Sequence, residues 1–533
     1  MAEMIQVINE KIEAGWKDNN LTPSVRCTDY DFIRRASLDV IGRIAKPEEI
    51  DNFLKDPAPP AVRRSKLIDR LLASDEYPRH WANMWSNWLL TRSGAFGRGK
   101  YHEQMQLWLE DQFANNVPYN KIVHDLLTAS GKNADNGATN FILAHVGMAN
   151  PQPRQQEEGE FDMVPITSRT TRLFLGIQTQ CTQCHDHPFD KKLLQHHFWG
   201  INAYFRQVQR VGQPPVMMGQ RMMVEGPTLE LKDNPGWDPE ALVYYETRSG
   251  KELQTKATFL DGRKLSTHDD NGKKELLSGM ERREELANRI TEYPTFPKAC
   301  VNRVWAHFFG RGFTNPIDDF NEQNEPTNPD LLNDLADKFK HYGYNQKDLI
   351  RWMCNSNAYQ LSSVANKTND KPELEQLFSR MPLKAMSPEA LLESILTATQ
   401  ADKDKEARKE LRNRFLDQLI ANFGDDEGNE VVFNATVVQA LMMMNSADIN
   451  DLIAPKDKGK GTVEAVIGKR GHSPNAVIRD LYLAALNRPP TGKEMDKITR
   501  AMATSGVRDT NPYAPYHDIF WALINSNEFI LNH

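Results

Sequence analysis

Apolar positions recur at three- and four-residue spacing along most of the chain, which predicts helices. Phe32, Ile33, Ala36, Val40 and Ile41 mark one face of a helix over Asp31–Arg43, with Thr28 as its cap and Gly42 near its stop. Similar stripes predict helices over Arg64–Ala73, Tyr77–Thr91, Tyr101–Asn115, Asn120–Ala129 and Ser168–Gln180. In Tyr77–Thr91 the stripe is made by Trp81, Trp85 and Trp88, which share one helix face and read as core rather than as the wall of a ligand site. Gly131–Gly137 and Gln152–Glu160 are polar, turn-rich stretches that read as loops.

The period changes between about Arg206 and Leu277. Short apolar runs there are broken by Gly and Pro, and Ala241–Thr247 and Glu252–Leu260 flank a turn at Ser249-Gly250, the pattern of a β-hairpin. Helical spacing returns from Glu284. Asn328-Pro329-Asp330 and Ser387-Pro388-Glu389 each place a capping side chain, a proline and an acid at a helix start, and Thr491 with Glu494 forms a capping box. Residues 401–414 are charge-dense and read as a solvated helix face, and 456–460 as a basic flexible loop. The fold class is mainly α, with two helical domains and a small β-rich insertion between them. The expected divisions are 1–205, 206–283 and 284–533. No repeat of fixed period is present, which excludes a solenoid.

Composition narrows the function. The 533 residues hold 65 Lys and Arg against 72 Asp and Glu, a net charge of −7, so nothing global attracts a phosphate backbone. No apolar run of about 18 residues spans a bilayer. The first residues, Met-Ala-Glu-Met-Ile-Gln-Val, lack an export leader and read either as a cytosolic start or as a start from which the leader has been removed. Five cysteines are too few for a disulfide scaffold. Cys27, Cys300 and Cys354 are scattered and read as buried packing residues.

The other two cysteines fall in Cys181-Thr-Gln-Cys184-His185, the C-x-x-C-H spacing of covalent haem attachment. Two thiols three positions apart can reach both vinyl groups of one porphyrin, and the adjacent imidazole supplies the proximal iron ligand. Zinc is the alternative, with His187 joining Cys181, Cys184 and His185, although four ligands within seven residues strain a tetrahedron. A redox dithiol and a purely structural pair also remain open. For the far side of a haem the candidates are His80 and His307, then His102, His145, His196 and His197, or Met217, Met218, Met222 and Met223. Asp186 and Asp190 are candidate acceptors that would orient His185 or His187. Arg303 could face an anionic group, or could form a buried ion pair with Asp319 that locks two helices. Arg34, Arg35 and Asp39 raise the same choice, with helix-capping salt bridges as the plainer account. Common hydrolase, nucleotide-binding and zinc-protease motifs are absent.

The flanks of the motif resemble a known family. Leu173-Phe-Leu-Gly-Ile-Gln-Thr-Gln-Cys-Thr-Gln-Cys-His-Asp-His-Pro-Phe-Asp190 resembles the signature of the planctomycete-type cytochrome C domain. Asp31-Phe-Ile-Arg-Arg-Ala-Ser-Leu-Asp-Val-Ile-Gly-Arg43 and His80-Trp-Ala-Asn-Met-Trp85 resemble its opening. Val301–Phe313, Pro316–Phe320, Cys354–Ser363 and Ala522–Phe529 resemble its usual C-terminal companion, a domain of unknown function. The resemblance implies an exported, periplasmic protein carrying haem c through Cys181, Cys184 and His185. It also implies company with systems that degrade polysaccharides. Three functions follow as expectations: a haem protein that passes electrons to a redox partner, an enzyme acting on carbohydrate between the helical domains, or a binding protein with a zinc site.

Overall fold

A computed structural model describes residues 2–91, 95–97, 99–214, 226–265, 279–401, 444–455, 461–471, 473–504 and 512–533. Helices predominate among these residues, and strands are confined to small antiparallel sheets, so the mainly α expectation holds. No helix of the described residues is long and apolar enough to cross a membrane. The segment 402–414 and the loop 456–460 lie outside the described residues.

Sequence signals place the helix ends closely. The Thr28 hydroxyl accepts from Asp31 N and the Asp31 carboxylate accepts from Thr28 N, which starts the helix Asp29–Ile41, and Gly42 stops it at φ 73°. Only glycine fits that stop, because a Cβ there would lie 2.2 Å from His80 Nδ1. Asn328 and Ser387 cap Pro329–His341 and Pro388–Ala398 as their spacing predicts. Other stretches depart from expectation. Gly131–Lys132 is not loop but an edge strand, paired with Glu230–Asp233, which pairs in turn with Val208–Val211. The helix expected over Ser168–Gln180 is interrupted: an α-helix Val164–Thr170 passes into a π turn Thr171–Leu175 and ends at Gly176. The expected hairpin is present as Leu242–Glu246 against Glu252–Lys256.

The chain divides into two compact units. The first comprises Trp81–Ala306 and Arg311–Ile350, the second Ala2–His80, His307–Gly310 and Arg351–His533. In the first, Trp81, Trp85 and Trp88 are buried as expected. Tyr119 lies between the Trp85 ring (centroids 5.3 Å apart) and a stacked Phe296 ring (5.1 Å). Arg283 ties the small sheet to this core, with Nη2 2.6 Å from Asp233 and Nη1 2.8 Å from the Leu127 and Ala129 carbonyls.

In the second unit an apolar cluster from Leu391, Ile395, Val463, Ile478, Leu481, Phe520 and Phe529 packs the C-terminal helices together. The helix Asp29–Ile41 contributes charge to this unit as well as apolar surface. Arg34 does not form a capping salt bridge. It donates to the carbonyls of Ala485, Glu528, Phe529 and Leu531, and burial pushes its pKa down to about 10. Arg35 donates to the carbonyls of Tyr359 and His533. Asp39 pairs with neither arginine. Its Oδ1 accepts from Lys384 Nζ (2.9 Å) and Asn532 Nδ2 (2.7 Å), and its Oδ2 from the Tyr359 hydroxyl (2.7 Å). The Asp39 and Lys384 side chains are only 3% and 9% exposed, so neither charge is solvated.

Removing one member of such a pair leaves the other charge buried and alone. Asp39→Ala is therefore expected to lower stability by about 3–5 kcal/mol. Urea unfolding checks this, and a midpoint unchanged from the parent would refute the role given to Asp39.

Candidate functional site

In the first unit the chain approaches the cysteine pair through Gly176, at φ 67°. A Cβ at this position would lie 2.3 Å from the Phe320 ring, and the Gly176 carbonyl accepts from Phe320 N at 2.8 Å. The next turn is a 3-10 helix, Thr179–Gln183, with Cys184 at its end. Side chains three apart eclipse one another in a 3-10 turn. Thr179 and Thr182 accordingly share the inner side. Both are buried, Thr182 Oγ1 donates to Thr179 O (2.6 Å), and Thr179 Oγ1 lies 2.8 Å from Thr171 Oγ1. Cys181 and Cys184 share the outer side as free, exposed thiols.

The turn is held from behind. Gln183 O accepts from Gln195 Nε2 and Trp199 Nε1, both at 3.1 Å, and Gln195 Nε2 reaches Glu246 O of the hairpin at 2.9 Å. Trp199 stacks on Tyr245, with ring centroids 6.3 Å apart. Sequence reasoning missed Gln195, Trp199 and Phe320 as supports of this turn. Phe320 was visible within the Pro316–Phe320 motif, but its partner was not.

The three histidines near the turn have different tasks. His185 Nδ1 lies 2.7 Å from the backbone carbonyl of Asp186. A carbonyl only accepts, so Nδ1 carries the proton and the lone pair of the neutral ring sits on Nε2. Asp186 thus orients His185, but through its backbone. Its carboxylate instead accepts from Gln195 N at 2.8 Å. His187 is turned into its own loop, where Nδ1 accepts from the backbone N–H groups of Asp190 (3.0 Å) and Phe189 (3.3 Å). The proton of neutral His187 is then on Nε2, which leaves the ring no lone pair for zinc. His197 Nδ1 accepts from Leu194 N at 2.9 Å, and burial and His196 lower its pKa. Among the described residues, no group of three or more His, Cys, Asp or Glu is arranged to hold a metal ion.

Arg303 lies 3.7 Å from Asp318, not Asp319, and both side chains are buried. Arg172 Nε shares the same carboxylate oxygen at 2.6 Å. Arg303 also lies over Trp88, 5.6 Å from the ring centroid, so the structural reading of this arginine holds with a different acid. Asp319 binds Asn321 and Asn324 within its own turn.

His80 and His307 both belong to the second unit, with ring centroids 6.1 Å apart. The backbone of Asp39 hydrogen-bonds to both, at 2.9 Å for His307 Nε2. His80 Nε2 is buried with no partner. His145 and His102, in the first unit, are bonded to Phe141 O (2.7 Å) and Asn87 Oδ1 (3.1 Å). Met217, Met218, Met222 and Met223 lie outside the described residues.

Two family models match the chain. Residues 7–210 match PSCyt2, a protein of unknown function (DUF1549), and residues 282–502 match PSD1, a protein of unknown function (DUF1553). No curated protein and no solved structure matches it.

The buried histidines carry a pH signature. Burial holds His80 and His145 down to about 3, helped by His307 and Arg169 respectively, and it holds His307 down to about 4. Below the ordinary histidine value of about 6.5 the unfolded chain binds protons that the folded chain refuses, so stability falls as pH falls through that window. The expected loss between pH 7 and pH 5 is on the order of 2 kcal/mol per histidine, above the range where most carboxylates titrate. Thermal unfolding midpoints across pH 5–7 check it, and a flat profile would contradict the neutral, buried assignment.

Proposed function

Because the chain belongs to the proteins that join a PSCyt2 domain to a PSD1 domain, we propose that it is an exported c-type haem protein that passes electrons to a redox partner. One observation carries the reading: Cys181 and Cys184 stand free and exposed on the same side of one 3-10 turn, with the neighbouring His185 Nε2 left open. This donor set fits haem c. Two thiols would form the thioether links, and one neutral imidazole would ligate iron.

Bound there, haem would supply a reversible one-electron couple. The residues supply placement. The Nδ1–H bond to Asp186 O sets the tautomer of His185, limits its rotation and makes Nε2 a better donor. The buried Thr179–Thr182 side and the two bonds to Gln183 O keep both sulfurs turned outward. His187, spent on its own loop, is not needed by this reading and counts against the zinc alternative.

The test is to produce the chain with an export leader in cells that mature c-type cytochromes. The expected product shows a Soret band and keeps its haem through denaturation. Cys181→Ala with Cys184→Ala loses the covalent haem, and His185→Ala keeps the link but alters the iron spectrum. Exported protein without haem, or with stoichiometric zinc instead, would overturn the reading.

A further inference from the structure

A cavity of about 570 Å³ lies in the second unit, walled by the helices Pro47–Lys55, Thr462–Arg470 and Pro474–Leu486 and by the end of Pro388–Ala398. Its volume falls in the roughly 300–1,000 Å³ range of small-molecule sites. Every residue of its wall belongs to this unit. Ala398, Val466, Leu483 and Ala484 supply a buried apolar part of that wall.

The charged part is unequal. Five cationic residues line the cavity with three acidic ones, and two of the acids are already answered. Asp480, 8% exposed, accepts from Arg470 at 2.7 and 3.2 Å, and Asp51 lies 3.5 Å from Lys55 Nζ. Lys46 and Glu48, at the start of Pro47–Lys55, offset each other in charge. The surplus is Lys469 and Arg479, both exposed and, among the described residues, without an ion pair. Each directly precedes a member of the Arg470–Asp480 pair, so the contact that joins these two helices also brings both cations to the same cavity. Like charges beside an apolar surface repel each other, and a bound anion relieves that repulsion. The helix end that would oppose an anion is answered, since Ala398 O accepts from Thr462 Oγ1 at 2.6 Å.

We propose that this cavity binds a small organic anion with an apolar body, of the class of aryl carboxylates and sulfonates. The apolar body packs against Val466, Leu483 and Ala484 and leaves water, and Lys469 and Arg479 meet the anionic group. Because both cations stand in water, they select the sign of the ligand, while the buried wall supplies most of the affinity.

Native protein titrated with 8-anilinonaphthalene-1-sulfonate, read by fluorescence, tests this beside N-phenyl-1-naphthylamine, the same ring system without the sulfonate. The expected result is saturable binding of the sulfonate at one site. Lys469→Glu with Arg479→Glu weakens the sulfonate at least about tenfold and leaves the uncharged probe within about twofold. Ala465→Trp, which puts a ring on an exposed position of the wall, weakens both probes. In the parent protein, raising sodium chloride from about 20 to about 200 mM weakens the sulfonate alone. The proposal is overturned by sulfonate binding that is absent, that ignores charge reversal and salt, or that survives Ala465→Trp unchanged, and by an equal loss of both probes on charge reversal. The salt comparison needs no variant, so an unstable variant does not affect the decision.

Discussion

A carboxylate taken out of water must be met by enough donors to replace it, and in the second unit this requirement falls on Asp39. Its two oxygens receive Lys384, Asn532 and Tyr359, and its backbone receives His80 and His307. Lys384 then spends its remaining protons on the carbonyls of His307 and Phe308, at 2.7 and 3.0 Å. Residues far apart along the chain must all be in place before this charge is satisfied. Arg34 and Arg35 extend the same logic from the preceding turn of the helix, donating to carbonyls near the C-terminal end of the chain, those of Phe529 and His533. The apolar cluster supplies bulk burial, while these polar contacts select one arrangement of it.

The cysteine turn of the first unit follows a different rule. Backbone geometry and side-chain size shape it more than charge does. A left-handed glycine, a ring that occupies the space of its absent Cβ, and an alternation of threonine and cysteine at a period of three together turn two thiols outward. His185 beside it uses Nδ1 in a hydrogen bond to the Asp186 carbonyl. Thiols and imidazole are therefore presented as donors, while the polar atoms behind them are satisfied.

The five cysteines occupy three physical settings. Cys181 and Cys184 are exposed on a shaped turn, Cys300 and Cys354 are fully buried, which pushes both thiols up, and Cys27 is buried beside two guanidinium groups. Burial alone puts Cys27 with Cys300 and Cys354. Its hydrogen-bonding neighbours differ, since Arg35 and Arg64 each place a nitrogen within 3.9 Å of its sulfur.

Local signals were legible in the sequence. The stripe Phe32–Ile41, the caps at Thr28, Asn328 and Ser387, the stop at Gly42, the tryptophan core and the hairpin turn each depend on residues within a few positions of one another. So did the C-x-x-C-H spacing. Partner choice was not legible. Nothing in the sequence tells Asp318 from Asp319 as the acid for Arg303, or points Asp39 to Lys384 rather than to an adjacent arginine. Nor could it show that His187 would be consumed by the N–H groups of its own loop while His185 kept a nitrogen open. Short-range geometry is written in spacing, because the backbone period fixes which side chains share a face. Which distant charge or carbonyl answers a buried donor is decided only when the tertiary structure closes, since it depends on what packing brings within about 3 Å.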